Sequence, residues 1–400
     1  MSESRFPVDV AVVGGCGHVG LPFALVIADC GLDVTLFDLN ATAVDQVNAG
    51  ILPFDEPGAA TVLERVLKAG RLRATTDPVS VRDAEHVVVV IGTPIDEHLN
   101  PDLNAVQLAI TEIAESLVDG QLLVLRSTVY PGVTAMVEQL VARLGVEVDV
   151  AFCPERIAES RAMVELTELP QIISARSQQA LDRATKLLRV LTDDMVYLEP
   201  EEAELAKLFT NTWRYIKFAT ANQLYMMAND FGLDYERIRS ALAYNYPRAA
   251  DLPGAGFAAG PCLFKDTMQL AAFNNNNFQL GQASVMTNEG LPLYIIARLE
   301  RRYDLSEMTV GILGMAFKAE SDDIRSSLSY KLKRILAFKA GRVLTHDPYV
   351  SVDPALVPIE QVVSESDLLI IGAPHSMYRE LDTDLPVVDL WNLRGLGVRV

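Results

Sequence analysis

The 400-residue sequence predicts an α/β fold: two parallel-sheet domains joined by a long central helix and a helical domain. Three observations predict it. Through the first part of the chain, short β-branched runs alternate with amphipathic stretches, the pattern of a parallel sheet covered on both faces. From Glu201 to Gly232 there is no proline and no break, which predicts one helix of about 30 residues. After residue 300 the strand–helix alternation returns, so a second α/β domain follows.

In order, strands are expected at Val8–Val13, Asp33–Asp38, His86–Ile91, Gln121–Leu125 and Val148–Phe152, with helices at Asn104–Leu117 and Val133–Leu144. In the long helix, apolar residues recur at helical spacing through Leu205, Leu208, Phe209, Trp213, Ile216 and Phe218. A helix of that length spans domains, forms a subunit interface or lies in a core. MTVGILGMAF, a helix at Ser327–Lys339, GRVLTHDP, DLLIIGAP and PVVDLW make the second α/β domain. The expected boundaries are 1–199, 200–298 and 299–400. The asparagine run 274–277 reads as a turn.

A formal charge of −19 argues against nucleic acid as a partner, because phosphate backbones require a basic footprint. It leaves room for a pyrophosphate, which a few basic groups can hold. No apolar run reaches the roughly 18 residues that a membrane span needs. MSESRFPVDV has neither the basic nor the apolar region of a signal peptide, so a cytoplasmic protein is expected. The cysteines at 16, 30, 153 and 262 show no C-x-x-C pairing; neither a metal site nor a disulfide framework is expected.

VDVAVVGGCGHVGLPFALVIADCGLDVTLFD sets Gly15, Gly17 and Gly20 in G-x-G-x-x-G directly after the first strand. Glycines there permit a tight turn and close approach to a pyrophosphate at the following helix N-terminus. Asp38 ends the next strand, where an acid accepts hydrogen bonds from ribose hydroxyls and disfavours the 2′-phosphate of NADP. With strand, glycines, helix and acid all in place, the expected cofactor is NAD. His18 and Val19 lie within the same turn, and Cys16 reads as a small turn residue.

PGAGFAAGPCLFKD places Cys262 after a run of small residues and before Lys265 and Asp266. Two readings stand on these residues alone. One is a buried small hydrophobe. The other is a nucleophile, since a nearby cation favours the thiolate and the small residues admit a substrate.

The motifs together resemble the UDP-glucose/GDP-mannose dehydrogenase family nearly end to end. They are GCGHVGLPFA, the IGTP turn with Thr93 and Pro94, RSTVYPG at 126–132 and CPERIAES at 153–160. ELAKLFTN at 204–211, AGFAAGPCLFKD at 255–266 and GILGMAFKAESDDIRSS at 311–327 complete the set. The resemblance implies two Rossmann-like domains, a homodimer built on the helix around Trp213, and two successive oxidations of a sugar C6 hydroxyl by NAD. It implies that Cys262 forms a thiohemiacetal and then a thioester, which water hydrolyses.

By the same resemblance, Lys207 and Asn211 stabilise an oxyanion; their i,i+4 spacing sets both on one helical face. Asp266 assists deprotonation, and Thr128 holds a water and contacts the cofactor. Glu155 and Glu159 share the base and arranging roles, with Glu155 also reaching the substrate. Thr93, Lys265 and Arg325 join the cofactor site. Phe257, Gly260, Lys318 and Arg248 join the sugar-nucleotide site, with Arg248 reaching across the dimer.

CPERIAES with ELTELPQII resembles the branch acting on UDP-N-acetylhexosamines, UDP-N-acetylmannosamine before UDP-N-acetylglucosamine, with UDP-glucose or an unusual sugar nucleotide behind them. The chain departs from the family pattern at Ser160, where glycine is common, and at Phe264, where proline is usual. Two rival readings are a one-step hydroxyacid dehydrogenase, which needs no cysteine, and a catalytically silent nucleotide-binding protein.

Overall fold

A computed structural model describes residues 5–93, 102 and 104–400. The chain divides into two compact units, residues 1–209 and 210–400. The dividing point falls within one continuous helix, Pro200–Asp230, predicted from the unbroken stretch and 31 residues long. Among the described residues no helix is long and apolar enough to cross a membrane.

The first unit is built on an eight-stranded sheet. Its strands are β1 (Val8–Val13), β2 (Val34–Phe37), β3 (Leu72–Thr75), β4 (Ala84–Val89), β5 (Leu122–Leu125), β6 (Asp149–Phe152), β7 (Gln171–Ala175) and β8 (Met195–Tyr197). The order is β3-β2-β1-β4-β5-β6-β7-β8. All neighbours pair in parallel except β6 and β7, which run antiparallel. Strands in the middle of such a sheet are buried on both faces, which is why β5 is LLVL throughout and β1 and β4 end in runs of apolar residues. Val10, Val12, Val88 and Val124 face one core with Leu21, Phe23 and Leu25. Ala11, Val13, Val87, Val89, Leu123 and Leu125 face the other with Ile110 and Val137.

The second unit carries a four-stranded parallel sheet: β9 (Thr309–Leu313), β10 (Arg342–His346), β11 (Leu368–Ile371) and β12 (Val387–Val388), in the order β10-β9-β11-β12. Its central strand β9 faces a core that includes Leu291, Ile295, Leu332 and Leu336. Helices Leu263–Phe273 and Gln279–Leu299 precede this sheet.

The five strands expected in the first unit form within two residues of their predicted limits, and the helix Val133–Leu144 forms as predicted. The stripe of the long helix is where the expectation shifts. Phe209 and Trp213 are exposed, 53% and 59%, whereas the buried positions include Lys207, Asn211 and Tyr215. The buried face keeps apolar Ala203, Leu208, Tyr215 and Tyr225 but also takes in Lys207 and Asn211, while the two aromatic rings expected in the stripe face outward.

Candidate functional site

In the first unit the glycine loop follows β1 directly. The Gly14 amide donates to the Phe37 carbonyl at 2.9 Å, so the loop starts in register with the end of β2. A Cβ at Gly14 would lie 2.3 Å from the Val90 carbonyl oxygen, and one at Gly20 would lie 2.5 Å from that of Gly14. Those glycines are needed by the protein's own backbone. Gly17 is different: a Cβ there would meet only the Gly14 oxygen, at an ordinary 3.6 Å. It precedes the helix Gly20–Asp29, where no side chain caps the first turn, so a ligand could approach its bare backbone. Uncapped helix amides favour an anion.

Asp38 stands beside this loop, accepting from the Cys16 amide and from the Asn40 amide, each at 2.9 Å. The acid is thus fixed where a ribose would be read. These residues fit NAD: Gly15, Gly17, His18, Val19 and Gly20 would hold the pyrophosphate and Asp38 the adenosine ribose. The His18 ring stacks on Phe54 at 4.1 Å, and its Nε2 lies 3.5 Å from Glu159. Burial, with Asp38 adding to it, pushes the Cys16 thiol up to about 12, so Cys16 is a packing residue rather than a nucleophile.

The loops after β4, β5 and β6 meet at the same sheet edge. Thr93 donates its hydroxyl to the Thr128 carbonyl at 2.6 Å, and Ser127 accepts from the Ile91 amide at 2.8 Å. Pro94 lies outside the described residues. The Glu155 carboxylate is spoken for on both oxygens. One pairs with the buried Arg126 guanidinium, and the other accepts from the Arg156 amide at 2.7 Å and the Ile157 amide at 3.2 Å. Burial works to raise its pKa, but the Arg126 charge and these donors outweigh it, and the net shift is downward. Glu159, four residues on, lies instead against His18 of the glycine loop. Ser160 sits at φ 63°, a left-handed conformation, and its amide donates to the buried Glu56 at 2.9 Å.

In the second unit, Cys262 is the exposed residue that precedes the helix Leu263–Phe273. Asp266 lies one turn further along that helix and is fully buried. It accepts from Asn211 at 2.5 Å and pairs with Lys265 at 3.2 Å. Asn211 and Asp266, 55 residues apart in sequence, are thereby brought together one turn along the helix from Cys262. Lys207, one turn before Asn211 on the long helix, is 8% exposed. It is therefore a buried cation and not a solvated surface charge.

The small-residue loop before Cys262 is close-packed. A Cβ at Gly256 would lie 2.2 Å from the Trp391 ring, and one at Gly260 2.8 Å from Phe317. Phe257 is buried edge-on to Trp391 at 6.4 Å. Asn222 fixes this loop by accepting from the Gly256 amide at 3.0 Å and donating to its carbonyl at 2.9 Å.

Lys318 and Arg325 lie on the loop after β9. The Arg325 guanidinium forks onto Asp323 with contacts of 2.7 to 3.0 Å. Arg248 is exposed beside Tyr246, 5.6 Å from its ring centre.

Three segments of the chain match one family. Residues 8–192 match the NAD binding domain of the UDP-glucose/GDP-mannose dehydrogenase family, 201–289 its central domain and 311–393 its UDP binding domain. The chain belongs to the UDP-glucose/GDP-mannose dehydrogenase family. It is similar to the UDP-N-acetyl-D-mannosamine dehydrogenase of Pyrococcus horikoshii, 31% identical over 93% of this chain and 91% of that one. It is also similar to the NDP-N-acetyl-D-galactosaminuronic acid dehydrogenase of Ralstonia nicotianae, 29% identical over 93% and 92%. Among solved structures, a UDP-glucose dehydrogenase from Pyrobaculum islandicum superposes with a TM-score of 0.91 at 27% identity, covering 98% of this chain and 96% of that one.

Membership in the dehydrogenase family makes this an NAD-dependent nucleotide-sugar dehydrogenase and removes the hydroxyacid dehydrogenase reading. It also gives the two departures a structural sense. Ser160 occupies a left-handed position, where glycine carries no Cβ penalty, and the Glu56 carboxylate holds it there. Phe264 packs with Tyr215, Leu263 and Phe218, so its ring fills space in the second unit.

Several structural supports carry no sequence signal of their own. Arg126 in RSTVYPG and Glu204 in ELAKLFTN are two of them. Glu204, fully buried, accepts from Gly132 and Thr134 and fixes the turn of RSTVYPG.

Proposed function

We propose that this chain oxidises C6 of UDP-N-acetylmannosamine to the carboxylate in two steps, with Cys262 carrying the intermediate. The observation that carries the chemistry is the arrangement in the second unit. An accessible thiol at a helix start, where an anion is favoured, lies one turn from a buried carboxylate bonded to an amide and an ammonium.

NAD, when bound, supplies the electron acceptor for each oxidation, two molecules being consumed per acid. Asp266 is suited to receive or pass a proton, since Asn211 and Lys265 hold its carboxylate in place. Cys262 adds to the aldehyde carbon, forming the C–S bond as the carbonyl oxygen takes the charge. Lys207 and Asn211 are assigned to that oxyanion. After the second oxidation, water attacks the thioester carbon, the C–S bond breaks, and thiol and carboxylate are restored. The base for that water we assign to Glu159 and not Glu155, because both Glu155 oxygens are already accepting and its pKa is lowered. Thr128 would hold the water, and Thr93, Lys265 and Arg325 would contact the cofactor.

Phe257, Gly260, Lys318 and Arg248 are assigned to the sugar nucleotide. The exposed rings of Phe209 and Trp213 support a homodimer through the long helix, with 200–298 as the dimerisation domain; a cytoplasmic location is part of the same proposal, in keeping with the biosynthetic class of the relatives. Light scattering at twice the chain mass is the expected result.

The choice of sugar rests on the CPERIAES and ELTELPQII segments and on the name of the Pyrococcus relative. Purified enzyme with NAD and a panel of UDP-sugars tests it. UDP-N-acetylmannosamine is expected to give the highest kcat/KM; a higher value for UDP-glucose would overturn the assignment.

A further inference from the structure

Asp347 and His375 are buried together in the second unit, their side chains fully inaccessible, yet none of the chemistry above uses them. Their place in the sheet is informative. From β9 the chain crosses one way to β10 and back the other way to β11, so the strand order reverses beside β9. In open parallel sheets the ligand crevice lies outside the carboxyl ends of strands at such a point. Three loops converge there: 314–327 after β9, Asp347–Val350 after β10, and Gly372–Ser376 after β11. They are in tight contact, since a Cβ at Gly314 would lie 2.6 Å from the Ala373 amide and carbonyl.

Asp347 is saturated. One oxygen accepts from the Met315 amide at 2.6 Å, the Ala316 amide at 2.9 Å and His375 Nε2 at 3.0 Å. The other accepts from the Tyr349 amide at 2.9 Å and the Val350 amide at 3.1 Å. His375 Nδ1 in turn accepts from the Glu320 amide at 2.9 Å. Because Nδ1 accepts, the ring proton sits on Nε2 and is donated to Asp347. The pair thus fastens the loop at its start and at its middle. Glu320 needs that hold: its φ is 51°, and its carboxylate accepts from the Ser376 amide at 2.6 Å and from the Tyr349 hydroxyl.

The loop so fastened carries Lys318 and Arg325, and its Phe317 ring backs Gly260, two residues before Cys262. We propose that Asp347 and His375 are positioning residues that hold loop 314–327 in the shape that binds the UDP portion of the substrate and supports the cysteine loop, without touching the ligand. The inference rests on the nucleotide-sugar reading of this unit.

The test uses the full-length enzyme and measures UDP and NAD binding separately by calorimetry, together with kcat and KM. His375→Ala is expected to weaken UDP at least tenfold and to raise KM for the sugar nucleotide more than it lowers kcat, with NAD affinity unchanged. His375→Gln keeps a donor for Asp347 and an acceptor for the Glu320 amide but loses the ring's fixed geometry, so it should recover part of the loss. If His375→Ala does not fold, His375→Gln and Tyr349→Phe carry the test, each weakening UDP while sparing NAD. Folded variants that bind UDP like the wild type would overturn the proposal, as would equal losses for UDP and NAD. A wild type that binds NAD but not UDP would overturn the underlying reading as well.

Discussion

The loop after β1 and the loop after β9 leave the carboxyl end of a central strand in a parallel sheet. Each is met by an aspartate from the end of the neighbouring strand, Asp38 after β2 and Asp347 after β10. The backbone even starts the same way: Gly14 donates to Phe37, and Gly314 donates to His346. The two aspartates then part company. Asp38 is half-buried and accepts from two backbone amides, which fill about half of a carboxylate's acceptor sites. Asp347, its side chain wholly buried, takes five donors. An acid at this position reads a ribose only while it keeps acceptor capacity and access. In the second sheet that acid is part of the scaffold, and on our proposal ligand contact falls to the loop it holds.

The largest expected effect comes from closing the first loop. Gly17→Val introduces no contact with the protein below 3.4 Å at Cβ, so its melting temperature should stay near wild type. NAD affinity should fall about 100-fold or more, roughly 2.7 kcal/mol. Calorimetry and a thermal melt check this together; a fall in both would mean that Gly17 serves the fold and not the cofactor.

Asp347→Asn should act on stability. Burial works to raise the Asp347 pKa, but His375 and the loop amides outweigh it and bring it to about 2. A carboxyl depressed in the folded state stabilises it above the unfolded pKa, near 3.9, and that stabilisation is lost as pH falls through the folded value. Asp347→Asn should therefore cost about 2 kcal/mol in urea unfolding at pH 6, with the gap from wild type narrowing between pH 4 and pH 2. A gap independent of pH would contradict the electrostatic origin. Asp38→Ala makes the contrast: NAD affinity should drop about tenfold with little change in urea midpoint.

The smallest effect concerns Ser326, left-handed at φ 54° in the second loop. Ser326→Gly removes the Cβ penalty and adds chain entropy to the unfolded state, so stability should move by less than about 1 kcal/mol. A larger shift would mean that the Ser326 side chain bears on the fold.

The sequence made the first loop legible and the second only by resemblance. Glycines at fixed spacing after a Val-rich strand announce a phosphate cradle because their physics is local. Asp347 and His375 are 28 residues apart and lie in HDPY and APHSM, segments with no periodicity or spacing that would pair them. Lys207 and Asn211 were readable as one helical face, but the bond from Asn211 to Asp266 belongs to tertiary packing. In the fold, β3, β7 and β8 lie at or next to the ends of the sheet order and lack the Val- and Leu-rich runs that mark the central strands. LRAT has one exposed arginine, and MVY is largely exposed. The antiparallel turn into β7 likewise has no local marker beyond the helix Ala162–Glu168 before it.

The measurement that bears most directly on the account is the stoichiometry of NADH to acid on UDP-N-acetylmannosamine, run in parallel with Cys262→Ser. Two NADH per acid, with acid formation abolished in the variant while NAD and UDP still bind, is the predicted result. One NADH per product, or undiminished acid from Cys262→Ser, would contradict a cysteine-carried, two-step oxidation.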